Sequence, residues 1–196
     1  MQTVDLGVSR RKFVREVAQL RAIESTLIAR GWWIMDATFP IVKVAFTAVN
    51  MRPRFIPFAV KVDFTDYDVL PLDVTFVDPF EDRELLPQEM LSMLRRRLPP
   101  DPSIPTEIAS QLPPQEVTLY QFYGERPDLP GFLCLPGTRA YHAHPAHSGD
   151  PWELYRHTKE GCLFNLLDII CRYGSAPLNQ LGFQVAMQLG QTVVPE

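Results

Sequence analysis

The sequence predicts an α+β domain on three observations: a helical apolar repeat at the start, a meander of alternating apolar segments after it, and an apolar helical stretch near the end. Over residues 10–30, Phe13, Val17, Leu20, Ile23, Leu27 and Ile28 recur mostly at spacings of three and four, and Gly31 supplies a stop. One long first helix is expected there. Its Arg10, Arg11, Lys12 and Arg15 form a solvated basic face, with docking of a partner as the other reading.

Residues 41–47, 58–64 and 72–77 are short, β-branched and aromatic runs, which predict strands. Phe58, Val60, Val62 and Phe64 alternate with Ala59, Lys61 and Asp63, so one face is expected in the core and the other in water. The sheet is expected to pack on the first helix. Residues 87–98 predict a second helix, with proline in its first turn and Arg95, Arg96 and Arg97 at its C-terminal end. The six prolines of residues 99–114 favour an extended connecting arm. Residues 117–123 read as a strand, and residues 161–174 as an apolar helix closed by Gly174.

With 196 residues, 46% of them apolar, the chain can bury one core, so a single domain over residues 1–196 is expected. The net charge of −4 provides no general basic field, which argues against nucleic acid as a partner. No apolar run is long enough to span a bilayer, and the N-terminus lacks the pattern of a secretory signal, so no membrane partner is expected. Three unevenly spaced cysteines, Cys134, Cys162 and Cys171, suit a reducing cytoplasm. There is no internal repeat and no glycine-rich phosphate loop, and no cofactor is expected. Cys162 and Cys171 fall in an apolar helical stripe and read as core.

Residues 132–157, FLCLPGTRAYHAHPAHSGDPWELYRH, hold all four histidines: His142, His144, His147 and His157. Pro136, Gly137, Pro145, Gly149 and Pro151 break regular structure there, so a stiffened loop can aim several polar side chains at one spot. Cys134 sits where a short apolar strand meets this loop, held by core neighbours yet within reach. Nearby histidines raise a thiol's thiolate fraction or protonate a leaving group. Two other readings stay open. Cys134, His142, His144 and His147 would make an acceptable tetrahedral zinc set, although no second cysteine pair stands at finger spacing. Alternatively the cysteine is a small hydrophobe and the histidines are ordinary loop residues.

The order of helix, strand meander, proline-bearing connector, cysteine loop, Trp152 and apolar helix resembles the ubiquitin-conjugating enzyme fold. The segment LCLPGTRAYHAHPAHSGDPW is similar to a bacterial group named for a Cys-Glu-His-His signature, formerly proposed to bind metal and encoded beside ubiquitin-like conjugation genes. The resemblance implies that Cys134 accepts a ubiquitin-like protein from an activating enzyme as a thioester. It then passes that protein to an amine or hydroxyl of a protein target. His142, His144 and His147 would supply proton transfer and polarisation, and Trp152 would fix the loop by packing. The chain departs from the pattern twice. No His-Pro-Asn tripeptide precedes the cysteine, since residues 121–133 contain neither His nor Asn, which leaves the oxyanion role to the downstream histidines. The signature's acid is expected just before His142, where Ala140 stands; Glu153, the nearest glutamate in the loop, or Asp150 would then supply it. The resulting expectation is a cytoplasmic conjugating enzyme with Cys134, His142, His144, His147 and Glu153 at its site. The alternatives are a zinc-binding protein or a catalytically silent adaptor of the same fold.

Overall fold

The computed structural model describes residues 5–122, 124, 126 and 128–181. Tyr123 of the expected strand and residues 182–196 of the expected domain lie outside them. Helix α1 (Leu6–Ala22) starts at Asp5, whose carboxylate accepts the Gly7 N–H at 2.8 Å and satisfies a donor that a helix start leaves open. The expected single helix is in fact two, because α2 (Glu24–Ala29) restarts after Ile23, which leaves helical geometry at φ −119° and ψ 21°. Ile23, Ser25 and Thr26 are weak helix formers, which makes this a cheap place to break. Leu20 and Leu27 nevertheless both reach the core. Gly31 has φ +88°, and a Cβ there would stand 2.5 Å from the Thr47 carbonyl oxygen, so glycine is required at the turn into the sheet.

Strands β1 (Trp32–Thr38), β2 (Ile41–Phe46), β3 (Phe58–Asp63) and β4 (Asp73–Val77) form an antiparallel sheet in the order β1-β2-β3-β4. Register aligns Ile34, Val44, Val60 and Phe76 across all four strands, giving one continuous apolar row. Phe58, Val60, Val62 and Phe64 point into the core as expected, and Phe13 of α1 meets Phe64 edge-on at 5.2 Å. The opposite face is less wet than the alternation suggests. Ala45, Ala59 and Val77 are buried there with Ile56 packed against them. Lys43 and Lys61 both pair with Asp82, pinning the turn after β4 across that face.

The expected helix over residues 87–98 does not form. Only Pro87–Glu89 makes a 3₁₀ turn; Leu94 adopts φ +51°, and β5 (Arg95–Arg97) is extended. Pro99 disfavours helical geometry at Leu98, and α3 (Thr106–Ala109) with its flanking turns returns the connector so that β6 (Glu116–Thr118) pairs with β5. The three arginines thus line a hairpin arm and do not cap a helix. The expected strand over 117–123 is divided between β6 and β7 (Tyr120–Gln121). Strand β7 pairs with β8 (Phe132–Leu133), and the Cys134 N–H continues this ladder to the Leu119 carbonyl at 2.7 Å.

Beyond Cys134, α4 (Arg139–Ala143) docks against the start of β4, where the Arg139 N–H donates to the Leu72 carbonyl at 2.8 Å. The final apolar helix, α5 (Leu163–Ile170), buries Leu163, Leu166, Leu167 and Ile170. It is shorter than residues 161–174 suggest, because a π turn (Cys171–Ser175) follows it and encloses Gly174. Cys171 is buried, as expected of a core thiol, and Cys162 is half-buried at the cap of α5.

A buried polar seam ties these pieces together. Glu16 lies on the buried face of α1 at 4% exposure and accepts the Leu163 N–H at the start of α5 at 2.9 Å. Arg15 also bonds this carboxylate at 3.1 Å, and the Tyr67 hydroxyl lies 3.4 Å from it. Burial, then the charges of Glu16 and Asp68, push the Tyr67 phenol far above its ordinary range, so it stays a neutral donor, bonding the Gly161 carbonyl at 3.1 Å. Ser9 bonds the Tyr67 carbonyl. Asp68, also buried, pairs with Lys12 at 2.9 Å and Arg156 at 2.8 Å, while its carbonyl accepts the Trp152 indole N–H at 3.0 Å. Lys12 is therefore a structural cation and not part of a solvated face. Glu16→Ala strips a charged acceptor from buried donors and is expected to lower the unfolding free energy by about 2–3 kcal/mol, with Glu16→Gln recovering part of it. Urea denaturation checks this; an unchanged midpoint in Glu16→Ala would mean that the seam contributes nothing.

Candidate active site

The thiol of Cys134 is placed by the β7–β8 ladder on one side and by a tight turn on the other. Thr138 is buried, and its hydroxyl lies 2.8 Å from the carbonyls of both Leu133 and Leu135 while capping α4. Gly137 makes the turn at φ +93°, where a Cβ would stand 2.6 Å from the Glu160 carbonyl oxygen. The chain leaving Cys134 is thereby folded back, so that the loop of residues 139–151 brings His147 beside the sulfur. Cys134 Sγ lies 3.3 Å from His147 Nε2. Burial pushes the thiol above its ordinary range, so the resting sulfur carries its proton, and His147 is the group positioned to take it.

The three clustered histidines are held in three different ways. His142 is committed at both nitrogens: the Gly137 N–H donates to Nε2 at 3.1 Å, which leaves Nδ1 to carry the proton and donate to the Asp150 carbonyl at 2.9 Å. It staples the two ends of the loop and has no nitrogen left for chemistry. His144 stacks on Phe132 at 5.7 Å, and its Nδ1 accepts the Ala146 N–H at 3.3 Å, so its Nε2 bears hydrogen. His147 stacks face to face on Tyr141, with ring centres 3.9 Å apart, and lies 5.7 Å from the His144 ring. His157 is exposed and outside the cluster.

Glu153 is not brought to the sulfur. It is exposed on the 3₁₀ turn Trp152–Leu154 and makes no hydrogen bond or ion pair with the described residues. The acid that the loop does present is Asp150. Its carboxylate accepts the Tyr141 hydroxyl at 2.6 Å and the Tyr155 hydroxyl at 2.7 Å. These bonds, Tyr141 first, hold the Asp150 carboxyl below its usual range. Tyr141 and Tyr155 are functional candidates that residue type alone does not announce. The one sequence cue is their position, flanking the histidines and the aspartate in the same short segment. Trp152 is buried, packs near Tyr67, and meets His142 at 5.7 Å, which fits a loop-fixing role.

The donor set imagined for zinc is not assembled. His142 is spent on backbone groups, and among the described residues no three His, Cys, Asp or Glu side chains are grouped to hold a metal ion. Beside the site, a cleft of about 470 Å³ opens along Leu135 and Pro136, with Arg96, Tyr155, Lys159 and Arg172 on its walls.

Residues 4–178 match the family model described as the Y4jH family, a span that includes Cys134, the whole histidine loop and α5. The chain belongs to the Y4jH-like family. A relative in Sinorhizobium fredii (strain NBRC 101917 / NGR234), the uncharacterized protein y4jH, is 43% identical over 199 residues, covering 100% of this chain and 96% of the relative. Neither description carries an activity. Among the described residues no helix is long and apolar enough to cross a membrane.

The staple and the reactive pair are separable by mutation. His142→Ala frees the Gly137 N–H and the Asp150 carbonyl and is expected to lower stability by about 1–3 kcal/mol, whereas His147→Ala costs less than about 1 kcal/mol. Equal midpoints for the two variants in urea would refute the division of roles.

Proposed function

We propose that this protein is a ubiquitin-like protein conjugating enzyme whose acyl carrier is Cys134. The observation that carries the reading is the 3.3 Å contact between Cys134 Sγ and His147 Nε2 at the mouth of a folded-back loop. A thiol with a base at hydrogen-bonding distance is an arrangement that activates a nucleophile for thioester exchange. The element order adds support. A helix, an antiparallel four-strand meander, a connector, the cysteine, a buried tryptophan and an apolar helix follow one another as in ubiquitin-conjugating enzymes.

In this reading His147 accepts the Cys134 proton, and the sulfur attacks the thioester carbonyl that links the ubiquitin-like protein to its activating enzyme. The activating enzyme's sulfur leaves, taking that proton back from His147 as it departs, and the acyl group now rests on Cys134. An acceptor amine or hydroxyl on a protein target next attacks the same carbonyl and gives its proton to His147, and the Cys134 thiolate departs and is reprotonated by the resulting imidazolium. The backbone donors near the sulfur are already used: the Cys134 N–H bonds Leu119, the Leu135 N–H bonds Leu133, and the Gly137 N–H bonds His142. Polarisation of the carbonyl therefore falls to a side chain, and His144, with hydrogen on Nε2, is the one free to do it. His142 acts only by holding the loop.

The reading is tested without knowledge of the activating enzyme. A ubiquitin-like protein carrying a C-terminal mercaptoethanesulfonate thioester is mixed with the purified protein and resolved without reductant. A one-to-one adduct is expected that thiols cleave, that Cys134→Ala abolishes, and that forms more slowly in His147→Ala by about tenfold or more. A wild-type protein that forms no such adduct with any of several ubiquitin-like proteins, while Cys134 remains open to small alkylating agents, would end the carrier reading.

A further inference from the structure

The contact between Cys134 and His147 leaves one question that geometry answers, namely what holds the imidazole in place and stabilises it once it is charged. Among the described residues no carboxylate is hydrogen-bonded to the imidazole. What lies against it is the face of Tyr141, parallel within 19° at 3.9 Å. That ring is fixed at its far end, because the Tyr141 hydroxyl donates to Asp150 at 2.6 Å. Asp150 is fixed in turn by Tyr155, whose hydroxyl reaches both carboxylate oxygens at 2.7 and 2.8 Å, and by the loop staple, since its own carbonyl accepts the His142 N–H.

We propose that Asp150, acting through Tyr141, is the positioning acid of the Cys134–His147 pair, fixing the imidazole plane and stabilising the imidazolium that forms when the sulfur is deprotonated. The inference deepens the carrier reading and rests on it only for the identity of the acyl group. The proton transfer itself is self-contained: the S–H bond of Cys134 breaks, an N–H bond forms at His147 Nε2, and a thiolate–imidazolium pair replaces a thiol–imidazole pair. Groups with charge or titrating protons around His147 are few. Among the described residues they are Cys134 in contact, Tyr141 stacked, His144 at 5.7 Å, and the Asp150 carboxylate; His142, bonded to the Asp150 carbonyl, is the further titratable group beside Asp150. Asp150 is the one carboxylate among them, and its charge attracts His147 once that ring has taken the proton. A parallel aromatic face beneath a cation adds to this, because its π electrons favour the charged ring. This placement also answers the departure at Ala140. The acid of the loop comes from ten residues further along and acts at one remove, through a phenol.

The test follows alkylation of Cys134 by iodoacetamide, in which the thiolate displaces iodide, read by mass on the peptide bearing Cys134 between pH 6 and pH 10. Asp150→Asn removes the charge and keeps an oxygen acceptor. Tyr141→Phe keeps the stacked ring and cuts the link to Asp150. Each is expected to slow alkylation at pH 7 about three- to tenfold, to shift the pH profile upward, and to converge with wild type at pH 10. His147→Ala is expected to slow it at least as much, and Asp150→Asn added to His147→Ala to slow it no further. Thermal midpoints identify any variant that has lost its fold, and Tyr141→Phe, which retains all apolar contacts, keeps the test open if Asp150→Asn unfolds the loop. Wild-type profiles in both Asp150→Asn and Tyr141→Phe, with a slow His147→Ala, would overturn the proposal and leave the Cys–His pair standing. Additive slowing in the double variant would overturn it as well, assigning Asp150 to loop structure. A wild-type profile in His147→Ala would instead refute the base reading on which the carrier mechanism depends.

Discussion

A carboxylate on the buried face of an amphipathic helix is unfavourable unless its partners are supplied, and Glu16 draws them from two distant segments as well as from its own helix. Its oxygens meet the Leu163 N–H, Arg15 and the Tyr67 hydroxyl, so α1, the turn after β3 and the start of α5 must all be in place before the charge is satisfied. Buried ion pairs gain little stability over apolar packing, because desolvation offsets most of the Coulomb term, but leaving one half-made is costly. The seam therefore acts as a condition on topology. Asp68 extends the condition outward by pairing with Lys12 and Arg156 and accepting the Trp152 indole through its carbonyl. Since Trp152 and Arg156 begin just after the histidine loop ends, the same seam that aligns the helices also anchors the loop's trailing end.

The leading end is anchored by different physics. Between β8 and α4 the chain has only five residues in which to reverse, and it does so with the left-handed Gly137, the doubly bonded Thr138 hydroxyl and the His142 staple. Within this frame, three histidines of identical intrinsic chemistry are given different capacities by the bonds they make. A histidine with both nitrogens bound to backbone is a fixed strut. One bound only at Nδ1 is a fixed donor. One that touches a thiol through Nε2 and an aromatic face through its ring is the one able to change its protonation without breaking a backbone bond.

The parts of this arrangement that could be read from the sequence are those that rest on repeating patterns. The alternation of Phe58, Val60, Val62 and Phe64 fixes one face of the sheet, because period two admits no other register against a core. Cys134 was legible because four histidines crowd a short segment that proline and glycine keep irregular. The features that escaped depend on tertiary partners. Residues 87–98 have helical composition, yet the prolines that follow and the pairing offered by β6 outweigh local propensity, so Arg95, Arg96 and Arg97 end in a strand. Glu16 interrupts an apolar stripe and reads as a solvated residue until Leu163 is seen across from it. Glu153 was the expected acid because it is the nearest glutamate in the loop, but separation along the chain says nothing about which way a 3₁₀ turn points its side chains. Asp150 faces the site because two tyrosines and a histidine hold it there.

The raised thiol of Cys134 gives the pair a particular character. A cysteine ionised at rest is reactive toward oxidants and electrophiles at all times, whereas one kept protonated by burial becomes nucleophilic only when its proton is taken. A thiol that binds its proton tightly is also the more nucleophilic thiolate once formed and the slower leaving group. In the proposed carrier role, where an acyl group must be held until the right acceptor arrives, both tendencies would help: loading would be governed by the base, and loss to water slowed because the sulfur departs reluctantly. In the proposed cycle the imidazolium formed by taking the acceptor's proton is the acid that reprotonates the sulfur as it leaves. Stabilising that imidazolium more strongly would make the resting sulfur a better nucleophile and the returning proton a weaker acid. A carboxylate placed at one remove, behind a phenol, is a way to orient the base while keeping that influence moderate.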